Sequence, residues 1–584
     1  MPNDNLEILR HSLSHVMAAA VKELYPDVKF AIGPAIDNGF YYDFDFPETK
    51  IGEDDLAAIE KKMKHIIKQN LKFERSEVLI DSAIAKEEAT GQIYKAELIS
   101  DLKAAGETVV SYYKLGGFED LCRGPHLESS GKIIPGAFKL SKLAGAYWRG
   151  SEKNKMLTRI YGLAFASKEE LDKYLEMQAE AEKRDHRKIG RELDLFSISE
   201  KVGPGLVLWH PKLAKTREAV ESFWRKFHRL RGYDTVYTPH IGRSELWKTS
   251  GHLSFFKESM YSPMDIEGDE YYVKPMNCPF HVEIYKSRPR SWREFPFRWN
   301  ELGTVYRYEK SGELSGMLRV RGFTQDDAHI ICRRDQFIDE YREVIKFTLD
   351  MFAVFGFKKE DIRGYIAIRN PKSDKYAGSD DIWQEAEKVV RQVVDEYGIV
   401  SEVEEGGAKF YGPALDLKVK DAIGREWQLT TIQLDFNLPE KFTMKYNGPE
   451  KEEQPIMIHR ALLGSLERFF GILIEHYAGA FPVWCAPVQV KLAAVSEKHA
   501  DYCRQLAQEF IKQDIRVEVD SSDETVGNKI RKAVNEKAPY ILVIGDKEIE
   551  SGALSVRERG SADTRAMSKK DLIKEIHNSY PLAE

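Results

Sequence analysis

The sequence predicts a multidomain α+β protein, and three observations lead to this prediction. The chain has 584 residues, more than one hydrophobic core usually spans. Short aromatic and β-branched segments between Gly and Pro turns fill residues 201–482, which is typical of an antiparallel sheet flanked by helices. Strand-like and helical segments alternate in residues 483–584, which predicts a compact α/β domain with a largely parallel sheet.

The composition is that of a globular protein, with 42% hydrophobic and 31% charged residues. The net charge of −7, from 94 acidic and 87 basic side chains, gives no overall signal for nucleic acid, although basic patches can lie on an acidic background. Five scattered cysteines argue against a disulfide framework and favour a reducing, cytoplasmic location. The start of the chain does not resemble a secretion signal and no long apolar run follows, so we expect no membrane association.

The elements follow in order along the chain. Residues 1–165 mix helices with strands and contain two histidine clusters, and the charge-dense stretch within 166–200 predicts a solvated connecting helix. Pro211 can begin a helix that Gly232 ends. Neither GxxxxGK[ST] nor GxGxxG occurs, so a nucleotide would have to be bound in another way.

The stretch RVRGFTQDDAHIIC predicts a ligand surface. In an extended strand alternate residues share a face, and one face here reads Arg319, Arg321, Phe323, Gln325, Asp327 and His329. A polar strand face is often merely solvated, but this one is an ordered row of cation, aromatic ring, amide, carboxylate and imidazole. A neighbouring strand would add Arg307 and Glu309. Arginines can hold phosphates bidentately and an aromatic ring can stack on a purine.

Five segments resemble, in order, the threonyl-tRNA synthetase family of class II aminoacyl-tRNA synthetases: KPMNCPFH, RVRGFTQDDAHIIC, FYGPALDL, TIQLDFNLP and IMIHRALLGSLERF. The resemblance covers nearly the whole chain. It implies activation of L-threonine with ATP and Mg²⁺, transfer of threonine to tRNA(Thr), and hydrolysis of mischarged seryl-tRNA(Thr). It also implies a homodimer, formed through the helix before GYDTVYTPHI. The implied domains are an editing domain (1–165), a linker helix (166–200), a class II catalytic core (201–482) and an anticodon-binding domain (483–584).

The resemblance implies roles for residues of the core. The ATP site would consist of Arg307, Glu309, Arg319, Phe323, Gln428, Gln433 and Arg468. The catalytic residues would be Arg307, Arg468, His252 and Gln325, with Gln325 beside the threonine and AMP groups. His252 matches a histidine that takes part in transfer to tRNA. Cys278, His329 and His459 match the ligands of one catalytic Zn²⁺ per subunit, although their spacing alone does not indicate zinc. Asp327 and Tyr411 would contact threonine.

A second active site is expected on physical grounds, because serine lacks only one methyl group of threonine, a difference worth roughly 1–3 kcal/mol. His11 and His15 lie on one helix face, opposite an apolar stripe, and Asp120, Cys122 and His126 form the second cluster. With Lys95, both clusters resemble the family's editing domain. We favour a metal-free hydrolytic site, but the same histidines and cysteine could form a tetrahedral zinc site.

The chain departs from the family pattern in three respects. It begins at the editing domain, without the ubiquitin-like domain that often precedes it. Ala414 replaces the usual lysine. In the last domain the anticodon-contacting positions match at Arg531, Lys537, Glu548 and Arg557, but Asp523 stands where asparagine is common, and a carboxylate cannot donate a hydrogen bond to a base.

Three other interpretations of the sequence are less consistent with these residues. A non-catalytic RNA-binding relative would be expected to have lost Arg307, Arg468 or a zinc ligand, and all are present. The candidate zinc ligands Cys278, His329 and His459 and the editing-like first domain argue against a class II enzyme for proline, glycine or histidine. A free-standing editing hydrolase would not need residues 201–482.

Overall fold

A computed structural model describes residues 2–373, 376, 379–409 and 411–582. The chain divides into two compact units, Met1–Ala179 and Glu180–Glu584. No helix within the described ranges is long and apolar enough to cross a membrane.

The first unit packs a long helix against two sheets. Its helices are α1 (Pro2–Leu24), α2 (Asp55–Lys68), α3 (Ile80–Ala89), α4 (Ile93–Ala104) and most of α5 (Lys168–Arg184). Its strands are β1 (Lys29–Phe30), β2 (Ala35–Ile36), β3 (Gly39–Asp45), β4 (Phe73–Leu79), β5 (Val109–Leu115), β6 (Phe118–Leu121), β7 (Phe138–Tyr147) and β8 (Met156–Ala164). One sheet has the order β1-β3-β8-β7, with β2 on β3, and the other has the order β4-β5-β6.

Helix α1 is buried more completely than its sequence predicts. A single apolar stripe opposite His11 and His15 was expected, but every residue from Ser12 to Val21 is buried. His15 is only 2% exposed, with the rings of Phe73 and Phe118 at 5.8 and 5.1 Å. The expectation of an exposed histidine face is therefore wrong at His15, because the sheet of β4, β5 and β6 supplies these rings.

The stretch between Ser167 and Leu195 also differs from its prediction. Two helices replace the single solvated one, because Asp185 accepts a hydrogen bond from the Arg187 N–H (2.7 Å) and begins α6 (His186–Glu192). Helix α5 is largely exposed, whereas His186 and Ile189 of α6 are only 1% and 6% exposed. The second half of the stretch is thus part of a buried core.

The next part of the second unit is built on an eight-stranded sheet, preceded by the hairpin β9 (Phe196–Ile198) and β10 (Val207–Trp209). The sheet consists of β11 (Asp234–Thr235), β15 (Phe297–Tyr306), β16 (Gly322–Cys332), β17 (Ile362–Ile368), β18 (Ser401–Glu405), β19 (Ala414–Lys420), β20 (Glu426–Asp435) and β23 (Ile456–Ser465). The smaller strands are β12 (Ile241–Arg243), β13 (Met264–Ile266), β14 (Asp269–Val273), β21 (Tyr446–Asn447) and β22 (Glu452–Glu453). The order β11-β15-β16-β23-β20-β19-β17-β18 is antiparallel except at its two end pairs, as predicted.

Helices pack on this sheet around the largest hydrophobic cluster. The helices of the region are α7 (Pro211–Arg229), α8 (Ser244–Ser250), α9 (His252–Phe255), α10 (Cys278–Lys286), α11 (Phe337–Val354), α12 (Asp380–Glu396), α13 (Asn437–Lys441) and α14 (Leu466–His476). Helix α7 begins at Pro211 as predicted, since proline has its φ preset and no N–H to satisfy there. Gly232, with φ of +73°, follows the helix in the left-handed region.

The last part contains the predicted α/β domain. Its helices are α15 (Ala500–Ile511), α16 (Val526–Asn535), α17 (Asp546–Ser551) and α18 (Lys569–Asn578). Its strands are β24 (Val490–Ala494), β25 (Val517–Asp520), β26 (Tyr540–Ile544), β27 (Ala553–Glu558) and β28 (Thr564–Ser568). Strands β25, β24 and β26 are parallel, as the alternating pattern predicts, and β27 and β28 add an antiparallel edge.

Candidate active site

The central strands bring distant side chains side by side. Strand β16 pairs with β15 on one side and with β23 on the other. This register sets His329 directly opposite His459, 130 residues later. A register shift between Gln325 and Asp327 shows an irregularity in the same strand. Such bulges redirect side chains and are common near active sites.

Four of the six residues of the predicted row lie in β16, namely Phe323, Gln325, Asp327 and His329. The strand begins at Gly322, so Arg319 and Arg321 lie in the preceding connection, and β15 ends at Tyr306, so Arg307 and Glu309 follow it. The connection turns tightly, with Gly316 at φ +49° and Ser315 N–H bonded to the Arg319 carbonyl (3.1 Å). The arginines are therefore presented from a loop, which periodicity cannot reveal.

A cavity of about 800 Å³ opens over this part of the sheet. It is lined by nearly all the core residues that the sequence analysis selected: His252, Cys278, Arg307, Glu309, Arg319, Phe323, Gln325, Asp327, Tyr411, Gln428, Gln433, His459 and Arg468. His329 does not line it, because its side chain is completely buried. The size is that of a site for a drug-sized ligand or a cofactor.

Arginine side chains crowd one end of the cavity. Arg319 donates to Glu309 (2.8 Å) and Glu313 (3.1 Å), and Arg468 Nε donates to the Leu318 carbonyl (2.9 Å). The Arg307 guanidinium lies 5.1 Å from the Phe323 ring centre. Burial, and then the neighbouring charge of Arg319, lower the pKa of Arg468. Three arginines around one cavity favour an anion such as phosphate.

The other end contains a cluster of metal-ligand type. The donor atoms of Cys278, His329 and His459 all lie within 4.8 Å of one another. His329 Nδ1 bonds to His281 Nδ1 (2.8 Å), while His329 Nε2 is buried and has no hydrogen-bond partner among the described residues. His459 Nε2 bonds to Asp435 Oδ2 (2.9 Å). A free buried nitrogen on one imidazole and a carboxylate behind another are features of a zinc site.

Polar groups surround this cluster. Asp327, 3% exposed, accepts a hydrogen bond from Asn277 Nδ2 (3.0 Å), and its burial raises its pKa. The Tyr411 hydroxyl donates to Gln433 Oε1 (2.9 Å). Ala414 lies opposite Gln433 in the sheet and is 5% exposed. Its methyl side chain is uncharged, unlike the lysine of the family pattern.

His252 is held in a neutral form. Its Nδ1 bonds to Ser250 Oγ (2.7 Å) and its Nε2 lies 3.2 Å from Met276 Sδ. Burial, and then the positive charge of Arg307, lower the pKa of His252 to about 4. A neutral imidazole at neutral pH can accept a proton in the cavity.

The first unit brings together the two predicted histidine clusters. Cys122 Sγ lies 3.2 Å from His11 Nε2 and 3.2 Å from His126 Nε2. The His15 ring lies 5.1 Å from the His126 ring, and His15 Nε2 is another buried atom without a partner among the described residues. Burial lowers the pKa of His15 to about 3 and that of His126 to about 2, and it raises the pKa of Cys122 to about 11. These side chains are neutral at pH 7.

Lys95 and Asp120 form a buried ion pair in the same unit, with Nζ 2.7 Å from Oδ1. The Tyr42 hydroxyl donates to Asp120 Oδ2 (2.5 Å), and burial followed by the Asp120 charge raises the Tyr42 pKa well above its usual value. Both charges of the pair are therefore shielded from water, and each is compensated by the other at hydrogen-bond distance.

The predicted anticodon residues are distributed over the last domain. Arg531 and Lys537 are exposed. Glu548 Oε2 accepts from the Gly545 N–H (3.0 Å) at the start of α17, and Arg557 Nε donates to the Ser561 carbonyl (2.8 Å). Asp523 is exposed in the loop before α16. Local bonds thus occupy one atom each of Glu548 and Arg557.

Several supporting residues were missed by the sequence analysis. His281 follows Cys278 by three positions on α10, a spacing that places both on one helix face and could have indicated it. Asp435 belongs to the quoted segment TIQLDFNLP but was not selected. Tyr42 gave no local signal, because its partner Asp120 is 78 residues away.

Comparison with known proteins defines the class. The chain matches the tRNA synthetase class II core domain (G, H, P, S and T) over residues 260–477, and the anticodon binding domain over residues 489–579. Residues 110–161 match the threonyl and alanyl tRNA synthetase second additional domain. With the antiparallel sheet and its cavity, these matches define a class II aminoacyl-tRNA synthetase.

Individual relatives identify the family within this class. The chain is 52% identical over 576 residues to the threonine–tRNA ligase of Sulfurihydrogenibium sp., covering 98% of this chain and 88% of that protein. It is 50% identical to the ligase of Borrelia turicatae, covering 97% and 95%. The RNA binding domain of threonyl-tRNA synthetase from Cryptosporidium parvum superposes with a TM-score of 0.65 at 34% identity, covering 68% of this chain and 98% of that one. The chain belongs to the threonine–tRNA ligase family.

Proposed function

We propose that the chain joins L-threonine to tRNA(Thr) in two steps. A threonine carboxylate oxygen attacks the α-phosphorus of ATP, and the bond from that phosphorus to the oxygen bridging to the β-phosphate breaks to release pyrophosphate. A ribose hydroxyl of the tRNA then attacks the carbonyl carbon of threonyl-adenylate, and the bond to AMP breaks to release AMP. The observation that carries the proposal is one cavity that is lined by arginines and by Cys278 and His459, with the His329 donor atom within 4.8 Å of those of Cys278 and His459. Family membership supports the same reaction.

We assign ATP and Mg²⁺ to the arginine end. Arg307 would bind the α-phosphate and stabilise the charge that grows during attack, and Arg319 and Arg468 would hold the γ-phosphate with Mg²⁺. Phe323 would stack on adenine and Glu309 would bind its amino group. Gln325, Gln428 and Gln433 would lie beside the threonine and AMP groups. The support is that all of these side chains line one cavity.

Zn²⁺ is assigned to the other end, one ion per subunit. Cys278, His329 and His459 fit it because His329 Nε2 is buried and has no hydrogen-bond partner in the described part of the chain, and because His281 and Asp435 hydrogen-bond the two imidazoles. When bound with three protein ligands, Zn²⁺ supplies open coordination for the amino and hydroxyl groups of threonine. Asp327 would accept a hydrogen bond from the threonine hydroxyl, and Tyr411, which lines the cavity, would contact the threonine. Valine has no hydroxyl group, and sites built for one reject such analogues by about 10⁴-fold or more.

We assign His252 to the transfer step. Its neutral imidazole is suited to accept the proton of the attacking ribose hydroxyl, or to organise that hydroxyl.

The first unit is proposed to hydrolyse seryl-tRNA(Thr), which a hydroxyl-reading site produces as an error. His11, His15, Lys95, Asp120, Cys122 and His126 would orient water or the ribose hydroxyls against the ester. The match of residues 110–161 supports an editing role. His11, Cys122 and His126 could also hold a metal ion. One zinc ion per chain would support metal-free hydrolysis, and two would support a metal site in the first unit.

The remaining assignments concern organisation. We propose the domains 1–165 (editing), 166–200 (linker), 201–482 (catalytic core) and 483–584 (anticodon binding), with tRNA contacts from Arg531, Lys537, Glu548 and Arg557. The family matches fall inside the first, third and fourth of these ranges. A homodimer would cover Leu230 and Tyr237, which are 63% and 78% exposed next to α7. Five free cysteines fit a cytoplasmic location.

Amino-acid-dependent ATP–pyrophosphate exchange tests the proposal, with threonine, serine and valine compared before and after zinc is removed and restored. We expect exchange with threonine, weaker exchange with serine and none with valine, with all activity lost on chelation and regained with zinc. Equal exchange with valine and serine would contradict the zinc-bound hydroxyl. Absence of exchange from folded, zinc-loaded protein would contradict the synthetase reaction itself.

A further inference from the structure

His186 connects three segments that meet behind the arginine end of the cavity. Its Nδ1 lies 2.6 Å from Glu475 Oε1, and its backbone N–H donates to the same oxygen (3.1 Å). The Met317 backbone N–H donates to His186 Nε2 (3.0 Å). Since Nε2 accepts a hydrogen bond, the ring proton resides on Nδ1 and is donated to Glu475. The imidazole thus joins α6 and α14 to the loop before β16.

The loop residue that His186 holds is directly connected to the arginines. Met317 is completely buried, and the carbonyl of the next residue, Leu318, accepts from Arg468 Nε (2.9 Å). Arg319 follows immediately. Helix α14 therefore holds this loop at two points. Arg468, in its first turn, bonds directly to Leu318. Glu475, in its last turn, bonds to His186, which in turn bonds to Met317.

Two glycines leave room for this arrangement. A Cβ atom added to Gly316 would lie 2.1 Å from His186 Nε2, and the residue already has φ of +49°. A Cβ added to Gly471 of α14 would lie 3.0 Å from Leu318 Cδ2 and 3.3 Å from Met317 Cβ. Loop, helix and imidazole are thus in closer contact than larger residues would permit.

Asp185, His186 and Glu475 are also close enough to suggest a metal site. The bonds argue against it. Both ring nitrogens of His186 are already used, and Glu475 Oε2 pairs with the Arg425 guanidinium, which Asp421 also binds (2.7 Å). A metal cation would have to displace an arginine and break the bond to Met317.

We propose that His186 is a positioning residue for threonine activation: it fixes the loop that presents Arg319 to the phosphates of ATP. The inference rests on the proposed function, because Arg319 and Arg468 are assigned to ATP only there. It deepens that function by placing a determinant of nucleotide affinity in a helix outside the five family segments. Its signature is a defect in ATP binding with threonine binding intact.

Asparagine and glutamine variants test the two hydrogen bonds of the His186 ring separately, because their amide groups reach different positions of the ring. In His186→Gln the side-chain oxygen can reach the position of Nε2 and accept from Met317. In His186→Asn the amide can reach only the position of Nδ1, so the buried Met317 N–H loses its acceptor. We expect His186→Asn to raise KM for ATP about tenfold, the effect of one unsatisfied buried donor, and His186→Gln to restore most of it. KM for threonine and zinc content should stay unchanged in both.

Pyrophosphate exchange and calorimetric titration with ATP–Mg²⁺ measure these effects, with His65→Asn, at an exposed position on α2, as the matched control. Equal KM values for ATP in the Asn and Gln variants, or equal rises in KM for ATP and threonine, would overturn the proposal. Gly471→Ala is a second variant that disturbs the loop without changing His186, and it should also weaken ATP binding. If the wild-type chain shows no exchange, the proposed function fails; weaker ATP binding by the Asn variant would still support the role of His186, and unchanged binding would overturn it.

Discussion

At the scale of single residues, the proposed zinc ligands His459 and His329 are each hydrogen-bonded by a further side chain. Asp435 holds His459 Nε2 (2.9 Å), and His281, which also contacts Glu301 (3.2 Å), holds His329 Nδ1. Such partners fix the orientation of an imidazole and raise its basicity, and losing one typically costs 10–100-fold in metal affinity.

Asp435→Asn tests this support. The other Asp435 oxygen accepts the N–H groups of Asn437 (2.7 Å) and Leu438 (2.9 Å), which asparagine can still do, so α13 should remain intact. The amide cannot accept from His459, and we expect zinc affinity to fall roughly 10–100-fold. Competition with a chromogenic chelator measures it. Asp395→Asn, exposed on α12, is the control, and unchanged zinc affinity in the Asp435 variant would show that the bond does not orient a ligand.

At the scale of elements, helix α14 is attached to the ligand-bearing strand β16 through a buried carboxylate. Glu467, 3% exposed, accepts a hydrogen bond from the Thr324 backbone N–H (2.9 Å). Burial raises the Glu467 pKa from 4.5 to about 7, although Arg217 opposes the shift. The folded chain therefore binds more protons than the unfolded chain between pH 4.5 and 7, and the free energy of unfolding falls as pH rises through that window because the buried carboxyl group must ionise.

Glu467→Gln should remove this pH dependence, since glutamine accepts the same bond without charge. We expect the variant's Tm relative to wild type to rise between pH 4.5 and 7 and then level off, corresponding to roughly 3 kcal/mol in total. Thermal unfolding across that range measures it, with Glu218→Gln, exposed on α7, as control. A Tm difference that does not change with pH would mean that Glu467 is already ionised at the lower end.

Sequence reasoning predicted elements better than their ends. Periodicity and Pro211 were sufficient for α7, and alternation was sufficient for the parallel strands of the last domain. It did not show that Arg307 and Arg319 lie in a loop, because the strand ends depend on tertiary bonds such as Arg321 N–H to the Gly205 carbonyl (2.7 Å). His186 was missed because its charged neighbours suggest a solvated helix. Cys278 and His459 were identified as candidate zinc ligands through family resemblance alone, whereas alternation had already placed His329 on the polar strand face. The pairing of β16 with β23 that sets His329 opposite His459 is non-local, so no local pattern indicates it.

At the scale of the whole molecule, the two candidate active sites belong to different compact units. The cavity lies entirely in the second unit, whereas His11, Lys95, Cys122 and His126 lie in the first. Mutations in separate compact units are expected to act independently.

His11→Ala should therefore separate the two activities. Removing the half-buried imidazole beside Cys122 is expected to slow deacylation of seryl-tRNA(Thr) by about 10²-fold or more, the usual contribution of an acid–base group. Threonine-dependent pyrophosphate exchange should be unchanged. Parallel assays of both reactions measure this, and His65→Ala serves as control. A similar loss in both reactions would contradict independent sites.

The pairing of β16 with β23 has a consequence for protein synthesis. Cys278 is translated about 180 residues before His459, and at 5–20 residues per second the ribosome needs roughly 10–40 s to cover that distance. During this interval the nascent chain carries an unshielded thiol and an incomplete donor set. Binding of the proposed zinc ion would therefore be a late event in biogenesis, because a chain that ends before His459 has the Cys278 thiol but not the full set of donors.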